Sequence, residues 1–194
     1  MSKRVFIIHG WGGTANEGWF FWIKRELENS GFTVFPIQMP NTNEPRIKPW
    51  VDAIASAVGK VDQDTFFIGH SIGCQAIARY LCTLLDKESV GGAVFVAGFF
   101  RRLTNMGEDS LSKEIINEWL NTPLDLVSVK RHMLKSAAIF SDNDPYVPMD
   151  NIDDFKDILV SEIIIEHNQG HFSSSSGLPV YEAILKVVLE VSKN

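Results

Sequence analysis

The sequence predicts an α/β fold: a six-stranded parallel sheet with helices on both faces. Three observations carry this. Six short apolar runs are hydrophobic almost without interruption, as strands buried on both faces must be. Helical patterns separate them, and strand alternating with helix builds βαβ units around a parallel sheet. The chain of 194 residues is long enough for one well-buried core and short for two. The strands are expected at 4–9 (RVFIIH), 33–37 (TVFPI), 65–69 (TFFIG), 92–97 (GAVFVA), 137–141 (AAIFS) and 162–167 (EIIIEH). The helices are expected at 17–29, 46–59, 72–86, 150–159 and 178–191. Gly31 serves as a stop after the first, and Pro179 sits in the first turn of the last.

The segment 99–135 breaks this rhythm. It is longer than a simple crossover and mixed in polarity, with short helices expected near 111–119 and 124–131. Ligands collect beyond the carboxyl ends of parallel strands. An excursion leaving the fourth strand there is a small cap over the site or a decorated surface crossover.

Composition narrows the function classes. A net charge of −6 with scattered Lys and Arg argues against a nucleic-acid partner, which demands a concentrated basic face. No apolar run approaches the ~20 residues of a membrane span. Residues 2–10 read as a strand, so no leader peptide is expected. Cys74 and Cys82 fall on one expected helix, where eight residues separate them by about 12 Å, too far for a disulfide. Free thiols fit a reducing cytoplasm.

The chemistry is concentrated at the bends. Gly69-His70-Ser71-Ile72-Gly73 is a G-x-S-x-G elbow with a strand before it and a helix after it, the context that motif requires. The turn projects the Ser71 hydroxyl above the sheet, and the helix starting at Ile72 aims free amides at it. A serine needs a base, and the base an orienting acid. The loop SDNDPYVP after the fifth strand offers Asp142 and Asp144; HNQGHF after the sixth offers His167 and His171. Asp144 is preferred because Pro145 biases it toward a fixed extended backbone. His171 is preferred because it follows Gly170 in a loop able to reach the elbow. The HNQGH spacing suggests paired metal ligands, yet Asn168 stands where that pattern needs Glu and Gly170 spoils the helix, so no metal is expected.

The first bend, IIHGWGGTA, contains G-x-G-x-x-A at Gly10, Gly12 and Ala15. That suits a dinucleotide, but Gln38 and Met39 occupy the place of the expected acidic residue. The competing reading is an oxyanion loop, in which the Trp11 amide pairs with that of Ile72. His9 and His70 read as structural neighbours. Of the aromatics Trp11, Trp19, Phe20, Phe21, Trp22, Phe99, Phe100 and Trp119, most read as core, with one or two left for an apolar pocket.

With HGWGG, GWFFWIKRELENSGF, MPNTNEPRIKPWV, GHSIGC, SDNDPYVP and the closing GHF in view, nearly the whole chain resembles the small serine hydrolases of the YdeN type, which include retinoblastoma-binding-protein-nine-like proteins. The resemblance implies a compact, single-domain α/β-hydrolase fold. It also implies Ser71 as nucleophile, Asp144 as acid, His171 as base, and oxyanion donors at Ile72 and Trp11. Esterase-like activity on small acyl substrates, with no cofactor, is implied too. Within 99–135 only Trp119 matches the aromatic-rich stretch expected there. The full expectation is a sheet in the order 2-1-3-4-5-6 and hydrolysis of an ester, amide or thioester through an acyl-enzyme. The rivals are a binding or scaffold protein on the same fold, and a dinucleotide-binding protein.

Overall fold

A computed structural model describes residues 2–16, 18–172 and 178–193. Its strands are β1 (Arg4–Ile8), β2 (Thr33–Ile37), β3 (Thr65–His70), β4 (Val90–Val96), β5 (Met133–Ser141) and β6 (Glu162–Glu166). They form one parallel sheet in the order β2-β1-β3-β4-β5-β6, as expected. The helices are α1 (Trp19–Asn29), α2 (Ile47–Val58), α3 (Ile72–Leu81), α4 (Ser110–Asn121), α5 (Leu126–Arg131) and α6 (Leu178–Val191).

Alternation along the buried strands sorts the core into two layers, because successive side chains point to opposite faces. Phe6, Ile8, Phe67, Phe95 and Phe140 pack with Trp50, Ile54 and Val58 of α2 and with the apolar side of α3. Trp119 of α4 and Val129 of α5 join that layer. Val5, Ile7, Ile68, Val94 and Ile139 face the other way, onto Trp19, Ile23 and Leu27 of α1 and Ile184 and Val188 of α6. Pro36 lacks an N–H and is tolerated because β2 is an edge strand.

The register puts every carboxyl end on one rim. Ile8 lies beside Gly69, His70 beside Val96, and Ser141 beside Glu166. Three loops therefore open toward the same space: 9–16 after β1, Ser71 after β3, and 142–148 after β5. The loop 167–172 after β6 joins them.

Several boundaries differ from expectation, each for a local reason. β5 starts four residues early, because polar Lys135 and Ser136 interrupt the apolar run. β4 starts at Val90, where two glycines interrupt the apolar pattern. α3 stops at Leu81 rather than 86; the Thr83 hydroxyl donates to the Tyr80 carbonyl (2.7 Å) and the chain tightens into turns. The helix expected at 150–159 is a 3₁₀ turn (Met149–Asn151) followed by a π-helical turn (Asp154–Ile158). Asn151 causes the break. Its fully buried side chain accepts from the Phe100 and Arg101 amides and donates to the carbonyls of Arg102 and Pro148.

Candidate active site

Ser71 sits between β3 and α3 with φ 54° and ψ −123°, a conformation that a residue with a side chain rarely adopts. Neighbours hold it there: its amide donates to the Val96 carbonyl (2.9 Å) and its carbonyl accepts from Cys74 (3.0 Å). The flanking glycines have measurable reasons. A Cβ at Gly73 would lie 2.4 Å from the Ile8 carbonyl oxygen, and one at Gly69 would lie 2.9 Å from the Cys74 nitrogen. The elbow thus packs backbone against backbone, and the first turn of α3 begins directly beneath the hydroxyl.

The acid loop fixes Asp144 through both of its oxygens. Oδ1 accepts from the amides of Tyr146 (2.8 Å) and Val147 (3.1 Å), and Oδ2 meets His171 Nδ1 at 2.8 Å. Its side chain is only 2% exposed. Because a carboxylate only accepts, Nδ1 of His171 carries the hydrogen and Nε2 is left for another partner. Asp142 makes a different pair, with exposed His167 at 2.6 Å. That contact holds the His167 imidazole above its ordinary pKa and the Asp142 carboxyl below its own.

Ser71 and His171 share the wall of one cavity of about 510 Å³ with Gly10, Trp11, His70 and Ile72. Among the described residues, hydrogen bonds tie the His171 imidazole to Asp144 and not to the Ser71 hydroxyl. The glycine-rich loop after β1 packs on the elbow: a Cβ at Gly10 would come within 3.3 Å of Ser71 Cβ. Trp11 turns its indole N–H to the Asn43 carbonyl (3.0 Å). The site therefore gathers Ser71, His171, Ile72 and Trp11 around one space, with Asp144 behind the imidazole.

Two further histidines, His9 and His70, act as struts. His9 is fully buried; Met39 donates to its Nε2 (3.1 Å), and its Nδ1 faces the Gly10 carbonyl at 2.8 Å. His70 directs Nε2 at the His171 carbonyl oxygen (2.8 Å), so that nitrogen is the donor. Enclosure, with the neighbouring His171 charge second, pushes its imidazole down to about 3.

The excursion forms the far wall. The carboxyl half of α4 is docked: Glu118 accepts from the Ile47 amide and pairs with Arg46, and Trp119 Nε1 donates to the Pro45 carbonyl. Buried Arg79 on α3 donates to the carbonyls of Trp119 and Thr122. Leu103, Met106, Ile116 and Trp119 give the cavity an apolar side. Asn105 ties this rim to the acid loop through the Pro145 carbonyl (2.7 Å). Of the aromatics, Trp11, Phe99 and Trp119 reach the cavity, whereas Trp19 and Phe20 are core and Phe21 is exposed. Tyr146, unforeseen from the sequence, stands edge-on to the His171 ring at 5.2 Å. Its place two residues past Asp144 was the one available signal.

Residues 5–190 match the family model described as serine hydrolase. The chain belongs to that family. This serine hydrolase is 28% identical to YdeN of Bacillus subtilis (strain 168) over 188 residues, 95% of each chain. It is 23% identical to the serine hydrolase RBBP9 of Rattus norvegicus, over 96% of this chain and 94% of that one. The crystal structure of the B. subtilis ydeN gene product superposes with a TM-score of 0.83 at 26% identity, covering 97% of this chain and all of the other. Est1E from Butyrivibrio proteoclasticus shares the fold at a TM-score of 0.74 and 15% identity, over 98% and 88% of the two chains. The family match spans the first loop, whose Gly10 lies against the elbow.

Proposed function

We propose that this serine hydrolase cleaves a small acyl ester, amide or thioester, with Ser71, His171 and Asp144 as its catalytic triad. The observation that carries this reading is the enclosed Asp144–His171 hydrogen bond, on a residue that shares a cavity wall with a serine held at positive φ. In the reaction, Ser71 Oγ attacks the substrate carbonyl carbon and its proton passes to His171 Nε2. Asp144 keeps the imidazole in the tautomer that can accept it and steadies the imidazolium. The carbonyl oxygen becomes an oxyanion, held by the amides of Ile72 and Trp11. Loss of one such donor typically costs about 3–4 kcal/mol of barrier. The tetrahedral adduct then expels the leaving group, which takes the proton from Nε2. Water repeats the cycle on the acyl-enzyme, Nε2 removing its proton and returning it to Ser71 as the acid product departs. The hydrogen bond between hydroxyl and imidazole forms with substrate in place, as catalytic contacts commonly do.

The excursion 99–135 acts in this reading as a cap whose apolar rim receives the acyl group or the leaving group. The esterase names of fold neighbours such as RhEst1 from Rhodococcus are consistent with an acyl ester. The protein works in the cytoplasm, where its two free cysteines stay reduced. The decisive experiment is fluorophosphonate labelling and hydrolysis of a p-nitrophenyl ester panel by wild type and Ser71→Ala. Label and turnover should both vanish in the variant with its melting temperature unchanged. Surviving label removes Ser71 from the role.

A further inference from the structure

Four consecutive side chains of the acid loop, Ser141 to Asp144, all reach across to the loop that carries His171. Ser141 Oγ accepts the Gln169 amide (2.9 Å). Asp142 accepts the Asn168 amide (2.9 Å) and pairs with the His167 ring. Asn143 Oδ1 accepts the Gly170 amide (2.7 Å) and also the Ser141 hydroxyl (2.8 Å). Asp144 completes the series at the His171 ring. Three successive amides, 168 to 170, thus donate to side chains of another loop rather than to a helix or sheet.

The held loop needs such support. Asn168, Gly170 and Phe172 have φ of 59°, 55° and 50°. Alternating left-handed residues cannot form the regular ladder of a helix or strand, so the Asn168 and Gly170 amides depend on acceptors from outside, while Phe172 donates to the Gln169 carbonyl (3.2 Å). On the opposite side, His70 donates to the His171 carbonyl, linking the residue before the nucleophile directly to the base. The base is therefore gripped at its ring, at the amide before it and at its own carbonyl.

We propose that Asn143 is a positioning residue for catalysis: it sets the place of His171 by holding the Gly170 amide, and it orients Ser141 to hold the next amide. This rests on the triad reading given above. Asn143 is the node because two other groups lose their acceptor when it is removed, while its own side chain is exposed and contributes little to the core. His171 acts in both acylation and deacylation, so its misplacement slows both half-reactions and lowers kcat while leaving KM nearly unchanged. A misplacement on the order of 1 Å can cost about a hundredfold.

The test measures kcat and KM on a p-nitrophenyl ester, with melting temperatures, for wild type, Asn143→Ala, Asn143→Asp and Ser71→Ala. Asn143→Ala should lose about tenfold to a hundredfold in kcat with KM within about twofold of wild type. Asn143→Asp keeps the acceptor oxygen and should recover most of the loss. An Asn143→Ala enzyme with wild-type kcat, a loss confined to KM, or an Asp variant as slow as Ala each overturns the proposal. If Asn143→Ala does not fold, Ser141→Ala releases the Gln169 amide and must lower kcat in the same pattern, or the proposal fails. Ser71→Ala separates the two readings. An active Ser71→Ala enzyme removes the triad and this proposal together, whereas an inactive one beside a fully active Asn143→Ala removes the positioning role alone.

Discussion

Gly73→Ala places a methyl group where the first turn of α3 crosses the end of β1. The new Cβ would stand 2.4 Å from the Ile8 carbonyl oxygen and 2.7 Å from that of His9, and both obstacles are backbone. Real Cβ contacts essentially never fall under 3.0 Å, so the helix start must withdraw by at least 0.6 Å. A side-chain obstacle could rotate away, but β1 is central to the sheet and hydrogen-bonded on both edges. The strain falls on α3, which carries the Ile72 amide and follows directly from Ser71. Overpacking of this kind costs about 1–3 kcal/mol. For a domain of this size that lowers the melting temperature by roughly 2–12 °C. With Ser71 and the Ile72 amide in their proposed roles, this displacement should cost about a hundredfold in kcat. Thermal melts and p-nitrophenyl ester kinetics on Gly73→Ala beside wild type measure both. A variant that melts within a degree of wild type and keeps its kcat would refute the claim that backbone contact dictates this glycine.

Two predictions concern groups that take no chemical part in the reaction. His70 stays neutral in the fold down to about 3, because enclosure and the His171 charge oppose its protonation. The unfolded chain binds that proton near 6.5, so between about 6.5 and 3 the unfolded state holds more protons and stability falls with falling pH. The slope from this group approaches about 1.4 kcal/mol per pH unit. Urea unfolding of wild type and His70→Gln at pH 7, 6 and 5 should show the steeper decline in wild type; equal slopes would contradict the assignment. The cysteines should separate by accessibility. Cys74 is fully buried and burial drives its thiol far up, whereas Cys82 is half-buried and raised by burial and by Asp125. Iodoacetamide with peptide mapping should modify Cys82 slowly and Cys74 only after unfolding, and early label on Cys74 would show that α3 opens locally.

Apolar runs and glycine spacing made the sheet legible because they are local. TFFIG before GHSIGC marks β3 and the elbow without any knowledge of neighbours, whereas the strand order was expected only together with the family resemblance. Helix ends were less legible where a distant partner decides them. Asn151 splits the helix expected at 150–159 by bonding to 100–102, and no feature of its own neighbourhood shows that. The excursion was the least readable part, because α4 is fixed by Glu118 and Trp119 against residues 45–47, about seventy positions earlier.

The sequence alone determined the fold class and a short list of chemically able residues: one serine, two aspartates and two histidines. Only the tertiary structure decided which aspartate meets which histidine. Asp142 pairs with His167 at the surface and Asp144 with His171 at the cavity, because β5 and β6 run side by side and bring 141–144 against 167–171. It also revealed that His70, 101 positions away, grips the same loop. Pattern fixes what each short segment becomes, since that depends on its own dihedral and burial preferences. Distances across the sheet depend on register and on hydrogen bonds between loops, and those exist only once the chain has closed on itself.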